Sequence, residues 1–235
     1  MAFLAIAALL ALLQGIANAQ EKEERPTAPF VAPLPDFFQW TISIDDSTRL
    51  AKPSPSAKPQ TPSVQKVVCT KTKNIKRDVI FYNNGGTFEL WYYNGKVIVR
   101  TPGGGVEICG AGGFTAAALV PDVSQEGFVW VDWITGANFQ TRTKLADGRD
   151  AYVYTGKASP SGYSASPTES GAPVVADIEI ESRLPLLVKR DTRTLTYSYQ
   201  SPPTQMLTLP ADCLKELSAI QARQDFAAKL RALPR

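Results

Sequence analysis

The sequence predicts a mainly β domain closed by one helix, and three observations point to it. Apolar and polar residues alternate in several short segments, turn residues (Gly, Asn, Pro) separate those segments, and one C-terminal stretch carries helical spacing. With 235 residues the chain can bury a substantial core in one domain. We expect about ten strands in an antiparallel meander, an α+β arrangement with a short crossover and a closing helix.

Residues 1–19 are set apart as a signal peptide. Residues 4–13 are almost purely apolar and Ala17-Asn18-Ala19 supplies a small-x-small cleavage pattern, although Met1-Ala2-Phe3 carries no basic side chain. Cleavage near Ala19 would export the chain to a periplasmic or extracellular space, and no later segment could span a bilayer as a helix. Residues 20–36, with four prolines, read as a poorly ordered leader, and 37–235 as a single β-rich domain. Phe38, Trp40, Ile42 and Ile44 alternate with Gln39, Thr41, Ser43 and Asp45, the period of a half-buried strand. Residues 51–63 contain four more prolines and form a flexible loop before the next strand.

The meander follows. Residues 65–72 and 78–82 are strands about a turn at Lys73-Asn74. Residues 88–93 and 96–100 flank Asn94-Gly95, the pair suited to a type I′ hairpin because both residues must take positive φ. A short strand at 106–109 comes after Gly103-Gly104-Gly105. Residues 121–135, crowded with Phe128, Trp130 and Trp133, predict a short helix or irregular crossover. Residues 138–144 and 151–156 pair about Ala146-Asp147-Gly148, and the Ser/Pro/Gly-rich stretch 159–172 is a mobile loop. Strands at 174–181, 186–190 and 195–199 complete the sheet, with Pro185 at a strand start where a missing N–H breaks no ladder. Asp212 caps a final helix whose apolar residues include Leu214, Leu217, Ile220, Phe226 and Leu230.

Much chemistry is excluded. The chain has no histidine, so Ser-His-Asp and Cys-His catalysis and His-containing zinc sites are ruled out. Its three cysteines, Cys69, Cys109 and Cys213, form no Cys-x-x-Cys pair. In an exported chain Cys69 and Cys109, both in strand contexts, are the expected disulfide, and three buried thiols are the competing arrangement. The glycine-rich run at 109–114 lacks the spacing of a phosphate loop. Ser63-x-x-Lys66 matches the spacing of some acyl-enzymes but stands at a strand start without companion motifs. Glu179 and Glu181, two apart on one strand, would share a face and read as a solvent row beside Ile178 and Ile180. Lys71, Lys73, Lys76 and Arg77 read as a solvated strand end, and with no interleaved aromatics they give no nucleic-acid site. No catalytic, cofactor-binding or metal-ligating residue is expected.

The aromatics are the strongest signal of binding. Trp91, Tyr93, Tyr152, Tyr154, Tyr197 and Tyr199 sit at strand positions, and Trp130 and Trp133 in the crossover; together they would line an apolar ligand surface or simply fill a core.

Three stretches carry a resemblance to a known family. They are residues 177–199 with Arg183-Leu184-Pro185-Leu186 at their centre, residues 127–154 with Gly148-Arg149 at a turn, and residues 87–101 about Asn94-Gly95. They resemble the LolA-like, lipoprotein-localisation class of exported proteins. The resemblance implies a curved, unclosed half-barrel with helices against its concave side, and a hydrophobic ligand, a lipid or lipidated protein, held there, with peripheral contact to the cell envelope. A structural or interaction module of the envelope without a cavity is the alternative, and a carboxylate-dependent hydrolase a third reading.

Overall fold

The computed structural model describes residues 25–46, 63–110 apart from 102 and 104, 128–157, and 171–231 apart from 172 and 191. The expected signal peptide, most of the proline-rich loop at 51–63 and most of the loop at 159–172 lie outside the described residues, as does 111–120 and the first part of the crossover.

Among the described residues, eleven antiparallel strands form one curved, unclosed sheet. They are β1 (Phe37–Asp46), β2 (Val64–Thr72), β3 (Ile75–Tyr82), β4 (Thr87–Tyr93), β5 (Lys96–Arg100), β6 (Val106–Gly110), β7 (Phe139–Lys144), β8 (Asp150–Lys157), β9 (Pro173–Glu179), β10 (Pro185–Arg190) and β11 (Arg193–Gln200). Their spatial order is β6-β5-β4-β3-β2-β1-β11-β10-β9-β8-β7. The first six strands step outward to one edge, the last five return from the other, and β1 and β11 meet in the middle with Ile42 opposite Tyr197. The antiparallel meander is the class the sequence predicts, and its unclosed half-barrel form is the one the family resemblance implies.

The turns follow from local chemistry. Asn94 (φ 48°) and Gly95 (φ 69°) give the type I′ hairpin between β4 and β5. Pro185 opens β10 as expected. The turn before it places Arg183 at φ 59°, held by a hydrogen bond from its N–H to the Glu179 carbonyl at 3.0 Å. β9 ends at Glu179 and Glu181 falls in this turn, so the two glutamates do not share a strand face.

Alternation along the strands produces two cores. On the inner face Trp40, Ile42, Val67, Ile80, Leu90, Tyr154, Ala176, Val188 and Leu195 are buried with Phe128, Trp130, Val131, Trp133 and Ile134 laid over them. Full burial of each aliphatic side chain contributes about 1.5–3 kcal/mol. The outer face carries a smaller core of Trp91, Ile98, Leu209 and Cys213. It is covered by the C-terminal segment and the helix α1 (Ala211–Arg231), so this helix packs on the opposite face to the main core, not against the concave side as the family resemblance implies. The reason is local: Leu207, Leu209, Cys213 and Leu217 match the outward row of Ile75, Trp91, Tyr93 and Ile98. Residues 25–36 have no regular structure, yet Phe30, Val31 and Leu34 pack on the inner core and the Ala32 N–H donates to the Arg183 carbonyl at 2.8 Å.

Candidate functional site: the inner face of the sheet

Strand pairing sets the site. Trp40, Cys69, Asp78 and Leu90 are opposite one another across β1–β4, and one step along Lys76 faces Tyr92. Side chains two apart share a face, so Lys76 and Asp78 both point inward and Arg77 outward. The consequence is a fully buried ion pair: Lys76 Nζ lies 3.1 Å from Asp78 Oδ2, with side-chain exposures of 1% and 0%. The ammonium also sits over the rings of Tyr92 (5.0 Å) and Trp40 (5.2 Å), positions that stabilise a desolvated cation. The Cys69 thiol and the Tyr92 hydroxyl turn towards the same carboxylate. Neither Asp78 oxygen is met in full hydrogen-bond alignment, nor are Trp40 Nε1 and the Tyr92 hydroxyl. Burial pushes the Asp78 carboxyl above the usual carboxylate range, with Lys76 pulling the other way. Burial, with the Asp78 charge beside it, also raises the Tyr92 hydroxyl.

Beside this polar cluster the face is sealed by the crossover. The Phe128 ring meets Trp40 at 5.7 Å and Tyr197 at 5.6 Å, both edge-on. Trp133 Nε1 donates to the Trp130 carbonyl at 2.7 Å, and its ring lies so close to Gly156 that an added Cβ would meet it at 2.8 Å. The buried Asn138 accepts from the Thr135 N–H and hydroxyl and donates to the Thr155 carbonyl, pinning the crossover to β8. Phe30 from the leader stands edge-on to Tyr154 at 6.3 Å, and Arg183 lies over Tyr152 at 5.0 Å. The Tyr199 hydroxyl donates to the Pro185 carbonyl.

At the end of the sheet where β1 stops and β2 begins, the same face is less closed. Ile44, Val64, Tyr82 and Phe88 are half-buried, with the Tyr82 and Phe88 rings 5.6 Å apart. This apolar rim leads directly into the buried Ile80 and Leu90, and from there to the Lys76–Asp78 pair.

The eight aromatics singled out from the sequence therefore divide. Tyr152, Tyr154, Tyr197 and Tyr199 belong to the inner face and Trp130 and Trp133 to its cover. Trp91 and Tyr93 belong to the outer core beneath the C-terminal segment. Sequence reading missed Trp40, Tyr92, Lys76 and Asp78. The available signal was parity: once 75–82 is one strand, Lys76 and Asp78 share the face of Ile80. The basic run does not hold together as a solvated end. Lys76 is buried, Arg77 pairs with Glu89 outside, and Lys71 donates to the Pro35 carbonyl at 2.9 Å. The Cys69–Cys109 bridge is corrected too. β2 and β6 are separated by three strands, about 19 Å at the usual inter-strand spacing, far beyond the roughly 7 Å a disulfide spans.

Opposite the site, the outer face carries a chain of ion pairs. Arg77 pairs with Glu89, Trp91 Nε1 donates to Glu89 Oε2 at 2.9 Å, Arg100 Nη1 lies 3.5 Å from Glu89, and Arg100 Nε donates to Asp212 Oδ2 at 2.9 Å. Burial tends to raise the Glu89 carboxyl, but the donors Trp91 and Arg77 and the charges of Arg77 and Arg100 outweigh it and hold it below its usual range. Burial between α1 and the outer face of the sheet pushes the Cys213 thiol up to about 11.

No family model and no curated protein matches the sequence. Among solved structures the chain is similar to the Mycobacterium tuberculosis lipoprotein LppX, at 9% identity and a TM-score of 0.38, covering 73% of this chain and 88% of that one. It is also similar to a chain of the Pseudomonas aeruginosa MucA/MucB complex, at 12% identity and a TM-score of 0.36, covering 75% of this chain. This match spans 56% of the length of that chain.

Proposed function

We propose that the protein is an exported, non-enzymatic binding protein that holds a hydrophobic ligand, a lipid or the acyl chain of a lipidated protein, on the inner face of its half-barrel. The observation that carries this reading is the half-buried apolar rim of Ile44, Val64, Tyr82 and Phe88, continuous with the buried inner face. An acyl chain entering there would meet the apolar side chains of Val67, Ile80, Leu90 and Val99 before the Lys76–Asp78 pair. The described cover beside it is made of two single 3-10 turns, Val129–Val131 and Gly136–Asn138, and an irregular leader. The apolar run and cleavage pattern of residues 1–19 support export. A chain without histidine whose Glu179 is engaged by the Ser182 hydroxyl offers little to a hydrolase reading.

A second reading, an envelope interaction module with a self-filled core, is favoured by one feature. Phe128, Trp130 and Trp133 already occupy the inner face between Trp40, Tyr197 and Gly156. Native mass spectrometry with lipid extraction, on protein purified from its own compartment, separates the two. A co-purified acyl species, diminished in Phe88→Asp, is the expected result. A clean mass of the polypeptide alone, with no uptake of added fatty acid, supports the filled module.

A further inference from the structure

Helix α1 is built in two halves with different sides turned to use. Its first half docks on the outer face through Cys213 and Leu217, and Asp212 is fixed by Arg100 at 2.9 Å. Beyond Ile220 the helix continues for eleven residues, about 16 Å, and of the residues described there all are exposed except the half-buried Ala227. Phe226 is 63% exposed, more than Met206 and Leu214, the other exposed large apolar side chains among the described residues. At about 100° per residue, Phe226 lies about 160° round the helix from Cys213 and Leu217, in line with the exposed Lys215. It is therefore turned away from the apolar seam that docks the helix.

Charge divides the helix at the same place. Residues 211–220 carry Lys215 against Asp212 and Glu216, a net of −1; residues 221–231 carry Arg223, Lys229 and Arg231 against Asp225, a net of +2. Arg223 and Lys229 are three residues before and after Phe226, which sets one basic side chain at about 60° on each shoulder of the ring. Arg223 has one loose partner, Glu216 at 3.5 Å, and both are largely in water. An apolar ring flanked by two long basic side chains is the arrangement that lets a ring enter a lipid interface while the charges reach its headgroups.

We infer that residues 221–231 of α1 form a docking element for an anionic phospholipid surface, with Phe226 inserted and Arg223 and Lys229 on the headgroups. The charge complementarity selects an anionic surface over a second copy of this helix, whose own distal half is basic. The site is independent of the inner face, which lies on the other side of the sheet.

Co-sedimentation of the full chain with vesicles tests this. Vesicles of phosphatidylcholine with phosphatidylglycerol are expected to bind the protein about tenfold or more tightly than phosphatidylcholine alone, and the difference is expected to shrink as salt is raised. The double variant Arg223→Gln, Lys229→Gln should lose about tenfold or more in affinity, and Phe226→Ser about tenfold, with far-ultraviolet circular dichroism unchanged. Equal binding to both vesicle types, binding to neither, or undiminished binding by both variants overturns the inference. So does a concentration-dependent dimer that Phe226→Ser dissolves while vesicles capture nothing, which would assign the face to a second copy.

Discussion

Lys76, Arg77 and Asp78 are consecutive on one strand and meet opposite environments. Arg77 joins Glu89, Arg100 and Asp212 on the outer face, where every member keeps some contact with water. Lys76 and Asp78 pair in the dry inner face. The outer network is a fastening for α1: its pairs are partly solvated, each contributes little, and their use is to fix where the C-terminal segment lies. The inner pair works differently. Desolvation of both charges cancels much of their attraction, so the pair adds little net stability, but neither partner can be removed alone without leaving a buried charge.

The largest expected effect separates these two faces. Asp78→Asn or Lys76→Met alone should lower the free energy of unfolding by about 3–5 kcal/mol, whereas Lys76→Met combined with Asp78→Leu should return it to near or above the starting value. Urea unfolding followed by tryptophan fluorescence measures both. If the single and double variants are equally destabilised, the inner pair contributes through something other than mutual charge compensation.

Next comes the sealed part of the inner face. Gly156→Val should cost about 1–3 kcal/mol, because its Cβ would meet the Trp133 ring at 2.8 Å. Replacing Trp133 by Leu in that background should recover part of the loss. A neutral Gly156→Val would show that the crossover yields there at no cost, and would weaken the picture of a tight cover.

Smaller effects belong to the outer face. With Cys109 replaced by Ser, Cys69 and Cys213 report the two faces separately, since one is buried in each core. Arg100→Gln should leave the global unfolding midpoint unchanged and speed thiol labelling of Cys213 several-fold, with Cys69 still labelled only on global unfolding. Acid sharpens the contrast further. Glu89 titrates below its ordinary 4.5 in the folded chain, so its contribution is present above that value and is lost as pH falls through the depressed folded value. Asp78 carries no such simple sign: burial raises its carboxyl while Lys76 pulls the other way, and protonating it would leave the Lys76 ammonium buried without its counter-charge. Hydrogen exchange at falling pH, corrected for its intrinsic rate, should show the loss of the Glu89 contribution as reduced protection at 207–217.

Much of this architecture was legible from sequence, because it rests on local chemistry. Asn94-Gly95 fixes a hairpin through the φ values those residues tolerate, and Pro185 marks a strand start through its missing N–H. The alternation from Phe38 to Ile44 reads directly as a half-buried strand. What was not legible depends on distant partners. That β1 pairs with β11 is a contact between the two ends of the domain, and no local signal announces it. Trp91-Tyr92-Tyr93 must alternate, but which of them faces the large core depends on where residues 207–217 settle. Local sequence therefore groups Trp91 and Tyr93 with the inner tyrosines, whereas in the fold Tyr92 is the inner one of the three. Charged side chains in a strand are ordinarily solvent residues, so a buried Lys76–Asp78 pair runs against the usual reading.

Central to the proposed function is that the inner face, and not the outer one, holds a hydrophobic guest. Photo-crosslinking with a diazirine-bearing fatty acid, followed by peptide mapping, tests it most directly. The account predicts labelled peptides from the β3–β4 hairpin around Tyr82 and Phe88, competed away by unlabelled fatty acid and lost in Phe88→Asp. Labelling confined to peptides around Leu209 and Phe226, or none that unlabelled fatty acid competes away, would contradict it.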